Sequence, residues 1–168
     1  RSSPTGEIFL EDVRVGKEHL LGGVEKDPRV RAALDTLQNE RGSAPIMAYG
    51  MIDRCLEECI KYAKVRKAHG RPIAEYQLIQ RHIARMYVAL ENVKNMLMKQ
   101  LSSERTGTRL SAQEYSAMKL YCGETAVQVA LDAIQVHGGF GYLTEGRVEM
   151  FLRDAKLLQI GGGTDEIQ

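Results

Sequence analysis

Ile79-Gln80-Arg81-His82-Ile83-Ala84-Arg85-Met86-Tyr87-Val88-Ala89-Leu90-Glu91-Asn92-Val93-Lys94-Asn95-Met96-Leu97-Met98-Lys99-Gln100-Leu101 is the stretch that decides the fold. Ile79, Ile83, Met86, Leu90, Val93, Leu97 and Leu101 recur at three- and four-residue steps, the spacing that lines one face of an α-helix. Lys67-Ala68-His69-Gly70-Arg71-Pro72 precedes the run as a turn, and Thr106-Gly107-Thr108 breaks it.

The same period continues on both sides. Upstream, Asp27 reads as an N-cap with Pro28 at the first helical position, and Ala33, Leu37, Ala44, Met47, Met51 and Cys55 form the stripe. Gly42-Ser43-Ala44-Pro45 interrupts it, because proline has no amide to donate and crowds the turn before it. A kink or brief break is therefore expected over 41–45, with helix resuming to about Arg66. Downstream, Ser111 and Glu114 form a capping box that opens a third helix with Met118, Cys122, Thr125, Val129, Ala133 and Val136 on its stripe. A fourth helix spans roughly Gly146 to Gln159, with Val148, Phe151, Leu152, Ala155 and Leu158 inward. Four amphipathic helices on short connections describe an all-α protein, an antiparallel four-helix bundle.

Residues 1 to 26 read differently. Glu7-Ile8-Phe9-Leu10-Glu11-Asp12-Val13-Arg14-Val15 carries β-branched and aromatic residues in rough alternation between Pro4-Thr5-Gly6 and Gly16, which predicts one or two strands. A lone strand needs a sheet, and nothing later supplies one, so residues 1–22 are assigned to the end of a β-domain and residues 23–168 to the bundle. Gly22-Gly23 marks the linker. The chain opens without methionine and stops at Glu166-Ile167-Gln168, which reads as a piece of something longer.

At 168 residues the chain can bury a core of its own without disulfide or metal staples. Its 23 basic and 22 acidic side chains nearly cancel and form no like-charged run, which argues against a nucleic-acid tract or a polybasic membrane patch. No apolar run reaches spanning length, so membrane insertion is not expected. Cys55, Cys59 and Cys122 are an odd number in helical surroundings, the pattern of reduced intracellular thiols. The four-residue spacing of Cys55 and Cys59 would suit a metal pair, but no clustered His or further Cys completes four ligands, and they read as core thiols.

Two glycine-rich turns flank Arg153-Asp154-Ala155-Lys156: Gln135-Val136-His137-Gly138-Gly139-Phe140-Gly141-Tyr142 before it, and Gln159-Ile160-Gly161-Gly162-Gly163-Thr164-Asp165-Glu166-Ile167-Gln168 after it. Both bring backbone amides to places where something flat or anionic could approach. Glu40 stands on the predicted apolar face, between Leu37 and Ala44, where a carboxylate would lose hydration and its pKa would rise towards that of a general base. The alternative is an internal ion pair, or a carboxylate left wet at the kink. Arg66 and Arg71 could grip phosphate, or neutralise carbonyls at a helix end. His137 could donate to a ligand or assist proton transfer, or serve structure alone. His19, His69 and His82 have no metal-ligand spacing, no G-x-S-x-G elbow is present, and no strand leads into Gly139-Phe140-Gly141 as a dinucleotide fingerprint requires.

Taken together and in order, these segments resemble the C-terminal part of the acyl-CoA dehydrogenases, flavin enzymes that desaturate acyl-CoA thioesters. Arg66-Lys67-Ala68-His69-Gly70 resembles the family's R-x-x-F-G turn, with His69 at the phenylalanine position, and Gln77 the glutamine after it. Gln135 to Tyr142 resembles Q-x-x-G-G-x-G-[FY], Arg153-Asp154-Ala155 the R-D-A segment, and Gly163-Thr164-Asp165-Glu166-Ile167 the E-G-T-x-E-I segment. The resemblance implies a middle β-domain ending in residues 1–22, a homo-oligomer (dimer or tetramer), and FAD held between subunits. Arg66, Gln135, Val136 and Gly139 would then serve a neighbouring subunit's cofactor, with Thr164 and Glu166 on their own subunit's side, and His69 and Gln77 would be cofactor-binding as well. Many members carry the catalytic glutamate just before Gly-Thr, where this chain has Gly162. A minority, similar to the isovaleryl- and long-chain-type enzymes, place it on the first bundle helix before an arginine, as Glu40-Arg41 stands here.

The resemblance implies α-proton abstraction by Glu40, hydride transfer from the β-carbon to FAD, and electrons passing on to an electron-transfer flavoprotein. Arg41 and Gly162 would border the acyl-CoA substrate, and the compartment would be bacterial cytoplasm or mitochondrial matrix. The rival readings are a non-catalytic subunit that completes FAD or oligomer contacts, an acyl-CoA oxidase or flavin monooxygenase on the same fold, and an isolated helical interaction domain.

Overall fold

The computed structural model describes residues 3–19, 36–37 and 40–168. The expected cap at Asp27 and Pro28, the stripe residue Ala33 and the Gly22-Gly23 linker lie outside the described residues.

Residues 40–42 are helical, Ser43 is a turn, and α1 runs Ala44–Val65. The break predicted at 41–45 is thus present. Pro45 sits in the first turn, where its missing amide costs nothing. Ser43 leaves the α1 amides uncapped and donates its hydroxyl to the Glu40 carbonyl instead, at 2.6 Å. The buried stripe of α1 is Ala44, Ala48, Ile52, Cys55 and Cys59. Met47, expected on that stripe, is 41% exposed, because from Ala44 the buried face steps by four residues to Ala48 and Ile52 before meeting the expected stripe again at Cys55.

Arg66 ends α1 in extended conformation, and β1 (Lys67–Ala68) pairs antiparallel with β2 (Arg71–Pro72). The two residues between them, His69 and Gly70, have φ 50° and 84°, the doubly left-handed pattern of a tight hairpin turn. After a 3₁₀ turn at Ile73–Glu75, α2 runs Gln77–Thr106 and stops at Gly107, whose φ of 71° lets its amide turn back to the Ser103 and Glu104 carbonyls.

The capping box forms as expected. Ser111 Oγ accepts from the Glu114 amide at 3.2 Å, and Glu114 Oε2 accepts from the Ser111 amide at 2.8 Å. It opens α3, Ala112–His137. A single helical turn at Gly139–Tyr142 leads to α4, Val148–Leu158, and a 3₁₀ turn at Asp165–Ile167 closes the described chain.

α3 is the central element, packed against α1, α4 and α2, while α1 also packs on α2. Accordingly α3 is buried on more than one face, and small residues such as Ala126, Ala130 and Ala133 let its neighbours approach. The core joins Ala48, Ile52, Cys55 and Cys59 to Met86, Leu90 and Val93 and to the α3 stripe. Ile52 and Met86 are 0% exposed, and each such side chain contributes roughly 1.5–3 kcal/mol by leaving water. Val148, Ala155 and Leu158 of α4 are buried, with Phe151 and Leu152 packed at the core's edge, matching the predicted inward face. The three cysteines are free and buried. Burial pushes each thiol up to about 12, so they stay protonated as core thiols.

The strands expected over Glu7–Val15 do not form; those residues have no regular structure, and Lys17–His19 is a 3₁₀ turn. Ile8 and Phe9 are each 86% exposed. The composition suits a strand, but a strand exists only against a partner's carbonyls and amides, and no described segment offers them.

The capping box carries an acid-pH signature. Lys99 at 2.7 Å, then the Ser111 amide and hydroxyl, hold the Glu114 carboxyl down from 4.5 to about 2. Because the folded-state value is depressed, this stabilisation is present above about 4.5 and is lost as pH falls towards about 2. Glu114→Gln should therefore be less stable than wild type in urea at neutral pH, with the difference vanishing on acidification. Ser111→Ala should cost about 1 kcal/mol at neutral pH.

Candidate functional site

The residues singled out in the sequence fall into two groups, at opposite ends of α1 and α3. The 22 residues of α1 separate them by roughly 33 Å at 1.5 Å per residue.

One group gathers where the chain enters α1. Arg41 donates from Nε to the Gly162 carbonyl at 3.2 Å and from Nη1 to Ser116 Oγ at 3.2 Å, tying residues before α1 to the glycine tail and to α3. Gly162 and Gly163 have φ of 66° and 103°, so the tail turns through conformations that side chains oppose. A Cβ added at Gly162 would stand 3.6 Å from both Cγ and the carboxyl carbon of Glu40. Glu40, Ser43, Ala44, Met47, Leu157 and Gly161 share a small cavity of about 100 Å³ with Lys119.

Glu40 itself is exposed, contrary to the expected burial. The helical segment before Ser43 does not continue the buried face of α1, and Leu37, which anchored that expectation, is 36% exposed. The desolvation inferred for Glu40 is therefore not supplied by this chain.

Thr164 is the N-cap residue of the Asp165–Ile167 turn. The Glu166 carboxyl is held below its usual range by its own backbone amide and then by the Thr164 hydroxyl, so Glu166 stands as an exposed anion. Gln168 Nε2 reaches back to the Gly163 carbonyl at 3.0 Å.

Lys119 escaped the sequence reading. It is 2% exposed, and its Nζ donates to the Gly163 carbonyl at 2.6 Å and to Asp165 Oδ1 at 3.1 Å. Asp165 Oδ2 in turn accepts from Gln159 Nε2 at 2.7 Å. The available signal was a lysine one turn before Cys122 on a helix rich in small residues, but a lysine ordinarily marks a solvated face.

The second group surrounds the C-terminal ends of α1 and α3. An open cleft of about 370 Å³ is lined by Tyr62, Arg66, Ile73, Val136, Gly138 and Gly139, among others. The Arg66 carbonyl accepts from the Ile73 amide at 2.8 Å, so the hairpin fixes the backbone from which the exposed Arg66 guanidinium projects. Gln77, at the start of α2, and Gln135 are exposed, as is His69 at the hairpin tip; none of the three lines the cleft. Arg71 is differently employed: its guanidinium lies 4.2 Å over the Tyr76 ring.

His137 is buried, with Nδ1 2.9 Å from the Ala133 carbonyl, so that nitrogen carries the proton. Its ring stacks on Tyr62 at 4.4 Å, and Tyr62 stacks on Phe140 at 5.8 Å. This is the structural role among the alternatives, and the stack makes a flat wall for the cleft.

Fold and site together define a mainly helical domain that gathers the singled-out groups at two separate ends. Residues 30–168 match the family described as acyl-CoA dehydrogenase, C-terminal domain, and the chain belongs to that family. It is 40% identical over its full length to a probable acyl-CoA dehydrogenase, YngJ, of Bacillus subtilis, covering 43% of that protein. It is 37% identical over its full length to the mitochondrial isovaleryl-CoA dehydrogenase of Solanum tuberosum, covering 40% of it. Among solved structures, that of PigA with FAD and proline superposes with a TM-score of 0.73 at 30% identity, over 79% of this chain and 34% of PigA. The chain thus spans about two fifths of the curated relatives it matches.

The tail geometry can be checked by two alanines. At Gly162 a methyl meets nothing nearer than 3.6 Å, and the left-handed φ costs about 1–2 kcal/mol. At Gly163 the φ of 103° is harder for a side chain, and the methyl would come 2.8 Å from Gln168 Nε2. Gly163→Ala should therefore lower the urea midpoint more than Gly162→Ala and speed amide exchange over residues 164–168.

Proposed function

We propose that this chain is the C-terminal bundle of a flavin-dependent enzyme that introduces a double bond between the α- and β-carbons of an acyl-CoA thioester. Residues 1–22 would be the last segment of the β-domain before it, and the exposed Ile8, Phe9, Leu10, Val13 and Val15 would be covered by the rest of that domain.

The observation that carries this reading is the approach of Glu40 to Gly162. The two sequence positions at which the family resemblance puts its catalytic base are far apart in the chain, yet a Cβ on the second lies 3.6 Å from the carboxyl carbon on the first. A carboxylate rooted at either position would reach the same volume, and in this chain only Glu40 supplies one. Glu40 takes the α-proton. Arg41, committed to the Gly162 carbonyl and Ser116, holds the wall of that volume and so shapes the substrate's seat. Bound thioester would cover the exposed Glu40 and exclude water from the reacting atoms.

The residues present fit FAD. The cleft at the other end joins an arginine to glycines at Gly138 and Gly139, where an added Cβ would meet nothing within 4 Å, so backbone can approach an anionic or planar group closely. When bound, FAD supplies the acceptor for the β-hydride. Arg66, with Val136 and Gly139, would hold and orient the dinucleotide in the cleft, and Gln135, Gln77 and His69, outside the cleft lining, would approach it from the rim. Thr164 and Glu166 meet a cofactor at the opposite end. With some 33 Å of α1 between the two groups, they serve different copies of FAD, which makes the working protein a homo-oligomer. Electrons then leave to an electron-transfer flavoprotein, in bacterial cytoplasm or mitochondrial matrix.

The test uses the full-length polypeptide that carries this chain, mixed anaerobically with a panel of acyl-CoAs while flavin bleaching is followed. Glu40→Gln should slow bleaching by about 10²–10⁴-fold, the range for a lost general base. Bleaching at the wild-type rate would remove Glu40 from the mechanism. Moving the carboxylate, in Glu40→Ala/Gly162→Glu, should recover part of the rate lost in Glu40→Ala.

A further inference from the structure

We propose that Lys119 is a positioning residue for the Glu40 site: from inside the bundle its ammonium fixes the glycine tail, and with it the separation of Glu40 from Gly162, without touching substrate. The inference rests on the reading of Glu40 as the base.

The tail around Gly161, Gly162 and Gly163 has no side chains with which to pack. The Gly161 amide is tied to the Leu157 carbonyl at 2.8 Å, and beyond it the tail's place is set through the Gly162 and Gly163 carbonyls. Gly162 O accepts from Arg41 Nε at 3.2 Å and, more distantly, from Gln168 Nε2 at 3.4 Å. Gly163 O accepts from Gln168 Nε2 at 3.0 Å and from Lys119 Nζ at 2.6 Å. Of these donors Lys119 is both the nearest and the one buried in the core, rooted on the central helix; Gln168 belongs to the tail itself. A charge-assisted bond out of contact with water is the strongest of the set.

Stability alone does not account for a lysine here. A buried ion pair is often replaceable by an apolar side chain of similar volume at no loss. What an apolar side chain cannot do is direct a carbonyl. The ammonium has three donors. Two are committed, to the Gly163 carbonyl and Asp165, and Lys119 also lines the small cavity that Glu40 borders. It therefore holds the tail from within the same small cavity that the carboxylate borders. Asp165 completes the arrangement: its amide donates to the Gln159 carbonyl at 3.1 Å, so the cation's partner is itself anchored at the end of α4.

The experiment compares Lys119→Met with Lys119→Met/Asp165→Asn in the full-length polypeptide. Methionine keeps the aliphatic volume and removes the donors. Lys119→Met alone strands Asp165 and should lower Tm by roughly 10 °C. The double variant removes the stranded charge and should recover most of that loss. In both, kcat should fall on the order of 10²-fold, as expected for a misplaced reacting geometry. KM for acyl-CoA should stay within about twofold, with kcat compared per bound flavin. Amide exchange over residues 161–168 should rise in both.

Wild-type kcat in Lys119→Met would overturn the inference. So would a kcat that recovers together with Tm in the double variant, since that result makes Lys119 structural only. If the wild-type protein turns over no acyl-CoA, the proposed function fails, and exchange over 161–168 still decides the matter: protection unaffected by Lys119→Met overturns the positioning role by itself.

Discussion

A lysine ammonium inside a helical bundle has to be met by oxygen, and that requirement organises one whole end of this molecule. Lys119 is 2% exposed on α3, the helix that the other three share. Left alone there, the charge would cost several kcal/mol. The oxygens that answer it come from the far end of the chain, the Gly163 carbonyl and Asp165. Asp165 is placed by Gln159, just beyond α4, so the path of α4 and the path of the tail are linked through one cation. Arg41 makes the matching link from the entry of α1 to the Gly162 carbonyl. Two basic side chains, one buried and one partly so, thereby fold a glycine segment that could not fold itself.

The opposite end is built on different physics. There the wall is aromatic, with Tyr62 between His137 and Phe140, and the turn that carries Arg66 is a hairpin held by backbone bonds and by Tyr76, whose hydroxyl donates to the Ala68 carbonyl at 2.8 Å. Straight helices keep the ends apart: α1 and α3 are each more than twenty residues long without a break. The bundle thus acts as a spacer whose length is fixed by hydrogen-bonded rise and not by side chains. Changes in the core between the ends would alter stability well before they altered that distance.

What could be read from the sequence was what depends on near neighbours. The stripe from Ile79 to Val93, the Ser111–Glu114 capping box and the inward face of α4 each follow from residues a few positions apart, and each stands in the structure, whereas Leu101, expected at the end of the same stripe, is 46% exposed. The break at Pro45 was legible too, but its consequence for phase was not. Continuing the stripe through it placed Glu40 on the buried side, and Glu40 is exposed. Glu7–Val15 has strand composition without strand partners, a property of the surroundings that alternation cannot encode. Lys119 was hidden for a related reason. Its partners lie more than forty residues away, and a helix buried on several faces gives a charged residue no exposed side on which to be expected.

The same distinction bears on why Gly162 is glycine. Two pressures act on that position. Its φ of 66° disfavours any side chain, and a Cβ there would point at Glu40 from 3.6 Å. A carboxylate added at 162 while Glu40 is present would bring two like charges close together, which is unfavourable. With Glu40 in place, glycine at 162 relieves the charge conflict and the backbone strain together. That freedom costs rigidity, because a glycine cannot hold its own peptide in place. The carbonyls of Gly162 and Gly163 are held by Arg41, Lys119 and Gln168 instead, so the carboxylate's site and the bonds that fix its opposite wall form one arrangement.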